Sequence, residues 1–372
     1  MLTDPRITKL SQMLIRDAVK LNKGENILIE TTDTPPELSV ELIRAVKEAG
    51  GNAFVRNTDS RVNKEHLLAT SLEALEQEAA LDLLQMKEMQ AYIAVRGAGN
   101  SLELSDVPAE RMNAYRKLRH EVLQQRVNFT RWCVLRWPNP SMAQGAGMST
   151  EAFEDFFFNA CLANYPAMAK ASDALVQLMN KTDKVRLVAK DTDLRFSIKD
   201  IPAVPCCGNC NIPDGEVYTA PVRDSVNGVI HYNAPTLYDG KRFENVRLVF
   251  KDGKIVEATS SDTDGMNAIF DTDPGARYVG EFAVGFNPFV LDPICDILFD
   301  EKIAGSIHFT PGQCYEEAPN GNASAIHWDL VLIMRPEYGG GEIWFDDRLI
   351  RKDGIFVAEE LLALNPDRLG KL

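Results

Sequence analysis

No run of eighteen uncharged apolar residues occurs in the 372-residue chain, so no membrane-spanning helix is expected. Basic residues are in deficit: 40 Lys and Arg stand against 54 Asp and Glu, a formal net charge of −14. A phosphate backbone is held by clustered Lys and Arg, so nucleic acid is excluded as the expected partner. The opening MLTDPRITKLSQMLIRD reads as an amphipathic helix interrupted by Arg6, Lys9 and Arg16. It has no continuous apolar stretch of signal-peptide type, and a cytoplasmic location away from membranes is the expectation. Seven cysteines (Cys133, Cys161, Cys206, Cys207, Cys210, Cys295 and Cys314) form an odd, uneven set that reads as reduced thiols, not a disulfide framework. Cys207-x-x-Cys210 has no second pair at zinc-finger spacing and reads as a turn. Gly97-Ala-Gly99 lacks the third glycine of a dinucleotide site. No G-x-S-x-G context is present, which argues against covalent acyl catalysis by serine.

What is present suits a soluble protein of two domains, with 45% hydrophobic and 25% charged residues over a length generous for one core. Over the first 180 residues helical and strand patterns alternate. Asn26–Thr31, Asn52–Arg56, Ala91–Arg96 and Trp132–Trp137 read as strands; Ile7–Leu21, Pro36–Ala49 and Ala109–Val127 read as helices. Such alternation predicts a mostly parallel sheet covered by helices. A long helix from about Thr150 to Asn180 is expected to lead out of this domain. After Lys184 short alternating strands and tight turns take over, among them Lys251-Asp-Gly-Lys254 and Tyr238-Asp-Gly-Lys241. The expected architecture is an N-terminal α/β domain, residues 1–183, followed by a β-rich α+β catalytic domain, residues 184–372.

Histidine is also scarce, with five in the chain. His66 and His120 lie on charged helical surfaces and read as exposed; His231 reads as core or turn. His308 and His327 stand in unusual surroundings. In Ala323–Met334, taken as a strand of period two, His327 and Asp329 share one face and Trp328 enters the opposite apolar layer. A carboxylate on an apolar strand needs a partner, because burying it alone is very costly. A structural salt bridge and a ligand pair both answer that need. Three further carboxylates sit in comparable contexts: Glu216 beyond the Ile212-Pro-Asp-Gly turn, Glu281 in the apolar run Val279–Pro288, and Glu301 one loop before His308. Four carboxylates and two imidazoles suit two divalent cations, zinc, cobalt or manganese, bridged about 3.5–4 Å apart as in two-metal hydrolases.

The ordered runs NIPDGEVYTAP, VGEFAVGFNP, FDEKIAGSIH, PGQCY and SAIHWD resemble those of the thermophilic-type metallo-aminopeptidases (the aminopeptidase T, aminopeptidase S and PepS family). The stretches KGENILIETTDTPPELSVELIRAVKEAGG and TDLRFSIKD are similar to that family too, so the resemblance spans nearly the whole chain. It implies metal ligation by Glu216, Glu281, Glu301, His308, His327 and Asp329. It also implies Glu281 as catalytic carboxylate, Tyr315 as catalytic tyrosine, small peptides as substrates, and a homodimer. The rival reading is a mononuclear iron ring-cleaving dioxygenase on the same scaffold, using His308, His327 and Asp329.

Overall fold

The computed structural model describes residues 4–100 and 102–371; the first three residues of the opening helical segment lie outside them. The chain divides into two compact units, Met1–Leu162 with Gly208–Ile212, and Ala163–Cys207 with Pro213–Leu372.

The first unit is built on a five-stranded parallel sheet in the order Asn52–Thr58, Asn26–Thr32, Ala91–Arg96, Arg131–Arg136, Asn211–Ile212. The inner strands are apolar on both faces, with Ile27, Leu28, Ile29, Ala91, Ile93 and Val95 buried, as a helix-covered parallel strand requires. The helix Pro36–Ala49 spans the residues its sequence pattern gives. It ends where Gly50 turns left-handed at φ 77°, a conformation that costs glycine nothing. The helix expected over Ala109–Val127 is two, Ala109–Leu118 and His120–Phe129, parted at Arg119 (φ −90°, ψ 3°), whose guanidinium reaches Asp82 2.5 Å away.

The long helix expected from Thr150 to Asn180 is likewise two helices, Thr150–Cys161 and Tyr165–Met179. Pro166 cannot continue a helix that arrives from its N-terminal side but suits the first turn of a new one, and the Asn164 side chain accepts from the Ala167 amide to cap it.

The second unit is strand-rich and antiparallel. An eight-stranded sheet contains Lys184–Ala189, Thr192–Ser197, Arg247–Lys251 and Lys254–Thr259 among its strands. The last two are joined by Asp252 (φ 47°) and Gly253 (φ 83°), the pair of left-handed residues that a two-residue hairpin turn demands. A separate five-stranded sheet runs in the order Val331–Ile333, Ser306–Pro311, Val279–Gly285, Glu216–Thr219, Val204–Cys206. The two sheets share an aromatic core: Phe196 and Phe250 of the larger meet Phe282 and Phe309 of the smaller at centroid distances of 5.0 to 5.9 Å. The architecture is thus an α/β unit with a parallel sheet and a β-rich unit after it. No helix among the described residues is long and apolar enough to cross a membrane.

Candidate metal centre

Register in the five-stranded sheet decides which side chains meet. Phe282 pairs with Phe309, Ala283 with His308 and Tyr218, Glu281 with Thr310, and Gly285 with Glu216. Directly opposed residues point the same way and neighbours along a strand alternate. Phe282 and Phe309 therefore enter the aromatic core, while Glu216, Tyr218, Glu281, His308 and Thr310 occupy the other face. Every residue of Val279–Gly285 and of Ser306–Pro311 is buried, so that face is no ordinary solvated one.

The segment carrying His327 and Asp329 departs from expectation in regularity. Regular strand covers only Val331–Ile333, and His327 forms an isolated bridge with Gly312. The register is nonetheless the same on both sides of the gap: His308 faces Val331 and Gly312 faces His327. Between them lies Pro311, which has no amide hydrogen to give the ladder. Alternation survives: Ile326, Trp328 and Leu330 are buried, whereas His327 and Asp329 are half-buried. Trp328 packs against Tyr238, Phe243 and Phe270 at 4.7 to 5.6 Å, on the side away from His327 and Asp329.

The six residues singled out from the sequence form one cluster. His308 Nε2 lies 3.2 Å from Glu281 Oε1 and 4.0 Å from Asp329 Oδ1; its Nδ1 lies 3.5 Å from Glu216 Oε2. His327 Nε2 lies 3.2 Å from Glu281 Oε2 and 3.3 Å from Asp329 Oδ1. Glu281 thus spans the two imidazoles, one oxygen to each. Glu301, in the turn after the short helix Ile297–Asp300, is gathered with His308 and Asp329. Tyr315 is 45% exposed, and its ring packs on His327 (4.9 Å) and Tyr218 (5.4 Å). His66 and His120 are exposed, and His231 ends a strand of the larger sheet.

Several contributors escaped the sequence reading. Lys302, 1% exposed, places its ammonium 2.5 Å from Glu216, 2.8 Å from Glu301 and 3.5 Å from Asp214. Asp214, in the turn before Glu216, is buried as well. Thr310 donates its hydroxyl to Asp329 Oδ1 at 2.7 Å, and the Gln313 carbonyl accepts from His327 Nδ1 at 2.8 Å. That last bond keeps a proton on Nδ1, so that in the neutral imidazole Nε2 carries the lone pair that can ligate. The available signal for Lys302 was a charged trio, Asp300-Glu301-Lys302, inside an otherwise apolar stretch.

The environment drives the carboxyls apart. Desolvation pushes Glu216 up to about 8, with Lys302 and His308 only partly offsetting it. Glu281 is equally desolvated, yet the two imidazoles hold it below the usual carboxylate range. Asp329 is lowered too, where His327, His308 and the Thr310 hydroxyl outweigh desolvation. Burial disfavours the charged form of His308, but Glu216, Glu281 and Asp329 together push it up to about 10. This is the signature of an excess of negative charge seeking cations.

The donors fit divalent metal. With all five carboxylates (Asp214, Glu216, Glu281, Glu301 and Asp329) ionised and both imidazoles neutral, as ligation requires, the one ammonium leaves four negative charges, the charge of two divalent ions. Three triads drawn from the six residues each bring ligand-type atoms within 4.8 Å of one another: Glu216, Glu281 and His308; Glu281, His327 and Asp329; Glu301, His308 and Asp329. Glu216 Oε2, His308 Nδ1 and His327 Nε2 are buried without a hydrogen-bond partner among the described residues. Orphaned buried polar atoms are costly and rare. A bound cation would satisfy them.

A donor set of this kind, set into one face of a buried sheet, defines a metal-dependent enzyme. The profile of the thermophilic metalloprotease (M29) family matches residues 3–337, and the chain belongs to that family: it is a metallopeptidase, a hydrolase of peptide bonds. Curated relatives include aminopeptidase T of Thermus aquaticus, 25% identical over 387 aligned positions, with 88% of this chain and 92% of that protein covered. Another is aminopeptidase PepS of Streptococcus thermophilus, 22% identical with 87% of each covered. Among solved structures, wild-type AmpT of Thermus thermophilus superposes with a TM-score of 0.81 at 22% identity, over 95% of this chain and 99% of that one. The 2,5-dihydroxypyridine dioxygenase of Pseudomonas putida KT2440 gives 0.62 at 14% identity, over 97% and 100%. At these identities both structural likenesses are of fold.

Proposed function

We propose that the protein is an aminopeptidase that removes N-terminal residues from small peptides, with two divalent ions (zinc, cobalt or manganese) held by Glu216, Glu281, Glu301, His308, His327 and Asp329. The observation that carries the reading is one cluster of five carboxylates facing a single ammonium, with orphaned ligand atoms on both imidazoles. All six residues lie within 184–372, which we take as the catalytic domain, with 1–183 as the N-terminal domain. The reading also includes a homodimer and a cytoplasmic location.

Ions in this donor set supply Lewis acidity, polarising a peptide carbonyl and making hydroxide available near neutral pH. The chain's own groups do the rest. Glu281, kept ionised by its imidazole neighbours, accepts the proton of the attacking water and returns it to the leaving amine. Tyr315 is raised well above an ordinary tyrosine by desolvation and by the nearby carboxylates of Glu281, Asp329 and Glu301, so it stays a hydroxyl donor. Its donation to the developing oxyanion is the stabilisation such hydrolysis needs. Thr310 and the Gln313 carbonyl orient Asp329 and His327. Lys302 holds Glu216 and Glu301 at their posts.

An iron dioxygenase built on His308, His327 and Asp329 alone would leave Glu216 and Glu301 buried without work beyond pairing with Lys302. The test is direct. Protein supplied with zinc, cobalt or manganese releases free amino acid from short peptides and amino-acyl arylamides, chelator stops it, and N-acetylated peptides are refused. Equal turnover of acetylated and free peptides ends the exopeptidase reading; metal-dependent oxygen uptake on a hydroxylated ring installs its rival. Glu281→Gln lowers kcat by at least about 100-fold, the lower range for a general acid–base group, while circular dichroism stays that of the parent.

A further inference from the structure

In the first unit a cavity of about 360 Å³ opens between the parallel sheet and three helices. Its floor is one sheet face: register sets Glu30 opposite Arg56, Leu28 opposite Tyr92, and Thr32 opposite Arg96. Its roof comes from Leu72–Lys87, Ala109–Leu118 and His120–Phe129. Five arginines line it, Arg56, Arg96, Arg116, Arg119 and Arg126, in a chain whose net charge is −14.

The two carboxylates of the lining are already engaged. Arg56 reaches Glu30 at 3.0 Å and Asp82 at 2.7 Å, and Arg119 takes the other oxygen of Asp82 at 2.5 Å. Glu30 also accepts from the Tyr92 hydroxyl. Arg96, Arg116 and Arg126 have no carboxylate partner among the described residues. Arg126 lies over Tyr92, its guanidinium carbon 5.0 Å from the ring centroid, and its buried Nε has no hydrogen-bond partner among the described residues. Arg96 and Arg116 are exposed at the cavity mouth and Arg126 is half-buried; desolvation, with the like charges of Arg136 and Arg126 outweighing Tyr92 and Glu30, pulls Arg96 below an ordinary guanidinium. Like charges crowded into a partly dry cavity repel, and folding them there is unfavourable without a counter-charge.

We propose that this cavity binds a small phosphate-bearing organic molecule, its phosphate seated among Arg96, Arg116 and Arg126. A phosphate monoester brings a charge of about −1.5 to −2 and three strong acceptor oxygens, which guanidinium forks match in pairs. The volume, within the range of about 300–1,000 Å³ of small-molecule sites, exceeds the needs of a bare ion. Tyr115, Leu123 and Met86 give the organic part apolar surface to lie on.

Titration calorimetry on the metal-loaded full chain tests this, with adenosine monophosphate and inorganic phosphate as probes. Adenosine monophosphate binds saturably and at least about tenfold tighter than inorganic phosphate. Arg96→Gln and Arg126→Gln each weaken it by about tenfold or more, while peptide hydrolysis stays within twofold of the parent. If Arg126→Gln does not fold, by circular dichroism, Arg116→Gln replaces it. No saturable binding, or undiminished binding in the variants, overturns the site. Equal affinity for both probes overturns the organic part and leaves the free ion as occupant.

Discussion

Lys302 is where a single side chain bears most on the centre. Its ammonium sits among three buried carboxylates, and burial alone would strip its charge; Glu216, Glu301 and Asp214 instead hold it well above the ordinary lysine range. Removing one partner of a buried ion pair costs about 3–5 kcal/mol, because the other charge stays behind unpaired. Lys302→Met therefore destabilises the chelated protein by that order, and excess divalent metal restores part of the loss. Equal melting losses with and without metal would show that the ammonium does not share its carboxylates with the ions. Its invisibility in the sequence has a physical cause. Lysine is almost never fully buried, so Lys302, unlike Glu301 beside it, reads as surface until the sheet closes over it. Glu216, Glu281, His308, His327 and Asp329 could be found because each interrupts an apolar run, where a polar side chain demands explanation, and Glu301 because it stands one loop before His308.

At the scale of elements, alternation told which side chains share a face, and the ladder told which strands adjoin. The first was readable: Phe282 beside Glu281 and Phe309 beside His308 separate core from centre. The second was not, since nothing local says that Glu216–Thr219 adds to Val279–Gly285. The helices break at Arg119 and over Leu162–Asn164, where the sequence pattern gives continuity, although Pro166 signals the second break. The His327 segment depends on Gly312, at φ 112°, where a Cβ would run into the Ile326 carbonyl. Gly312→Ala should part the bridge to His327 and lower both melting temperature and metal affinity. Unchanged metal affinity, by competition with a chromophoric chelator, would mean the bridge does not position His327. On the opposite face Trp328→Ala empties an aromatic nest and costs about 3–5 kcal/mol, the usual loss for a large buried aromatic.

For the whole molecule, two compact units with separate cores predict separable unfolding, because cooperativity follows contacts. All the proposed ligands belong to the unit of Ala163–Cys207 and Pro213–Leu372. A ligand that binds only the native state stabilises it by RT ln(1 + [L]/Kd), about 2.7 kcal/mol at a hundredfold excess over Kd. For a unit of about 200 residues each kcal/mol is worth about 2–4 °C, so metal should raise one calorimetric transition by about 5–11 °C. The other transition should stay within a degree, because the parallel-sheet unit holds none of the six residues. Adenosine monophosphate provides the complementary perturbation, raising the first unit's transition and not the metal-bearing one. The scan is run four ways: with chelator, with metal, with nucleotide, and with both ligands. Independent units give additive shifts, each confined to its own peak. A single transition moved by either ligand would mean that the two cores melt as one, and the division of the chain would then be architectural without being thermodynamic.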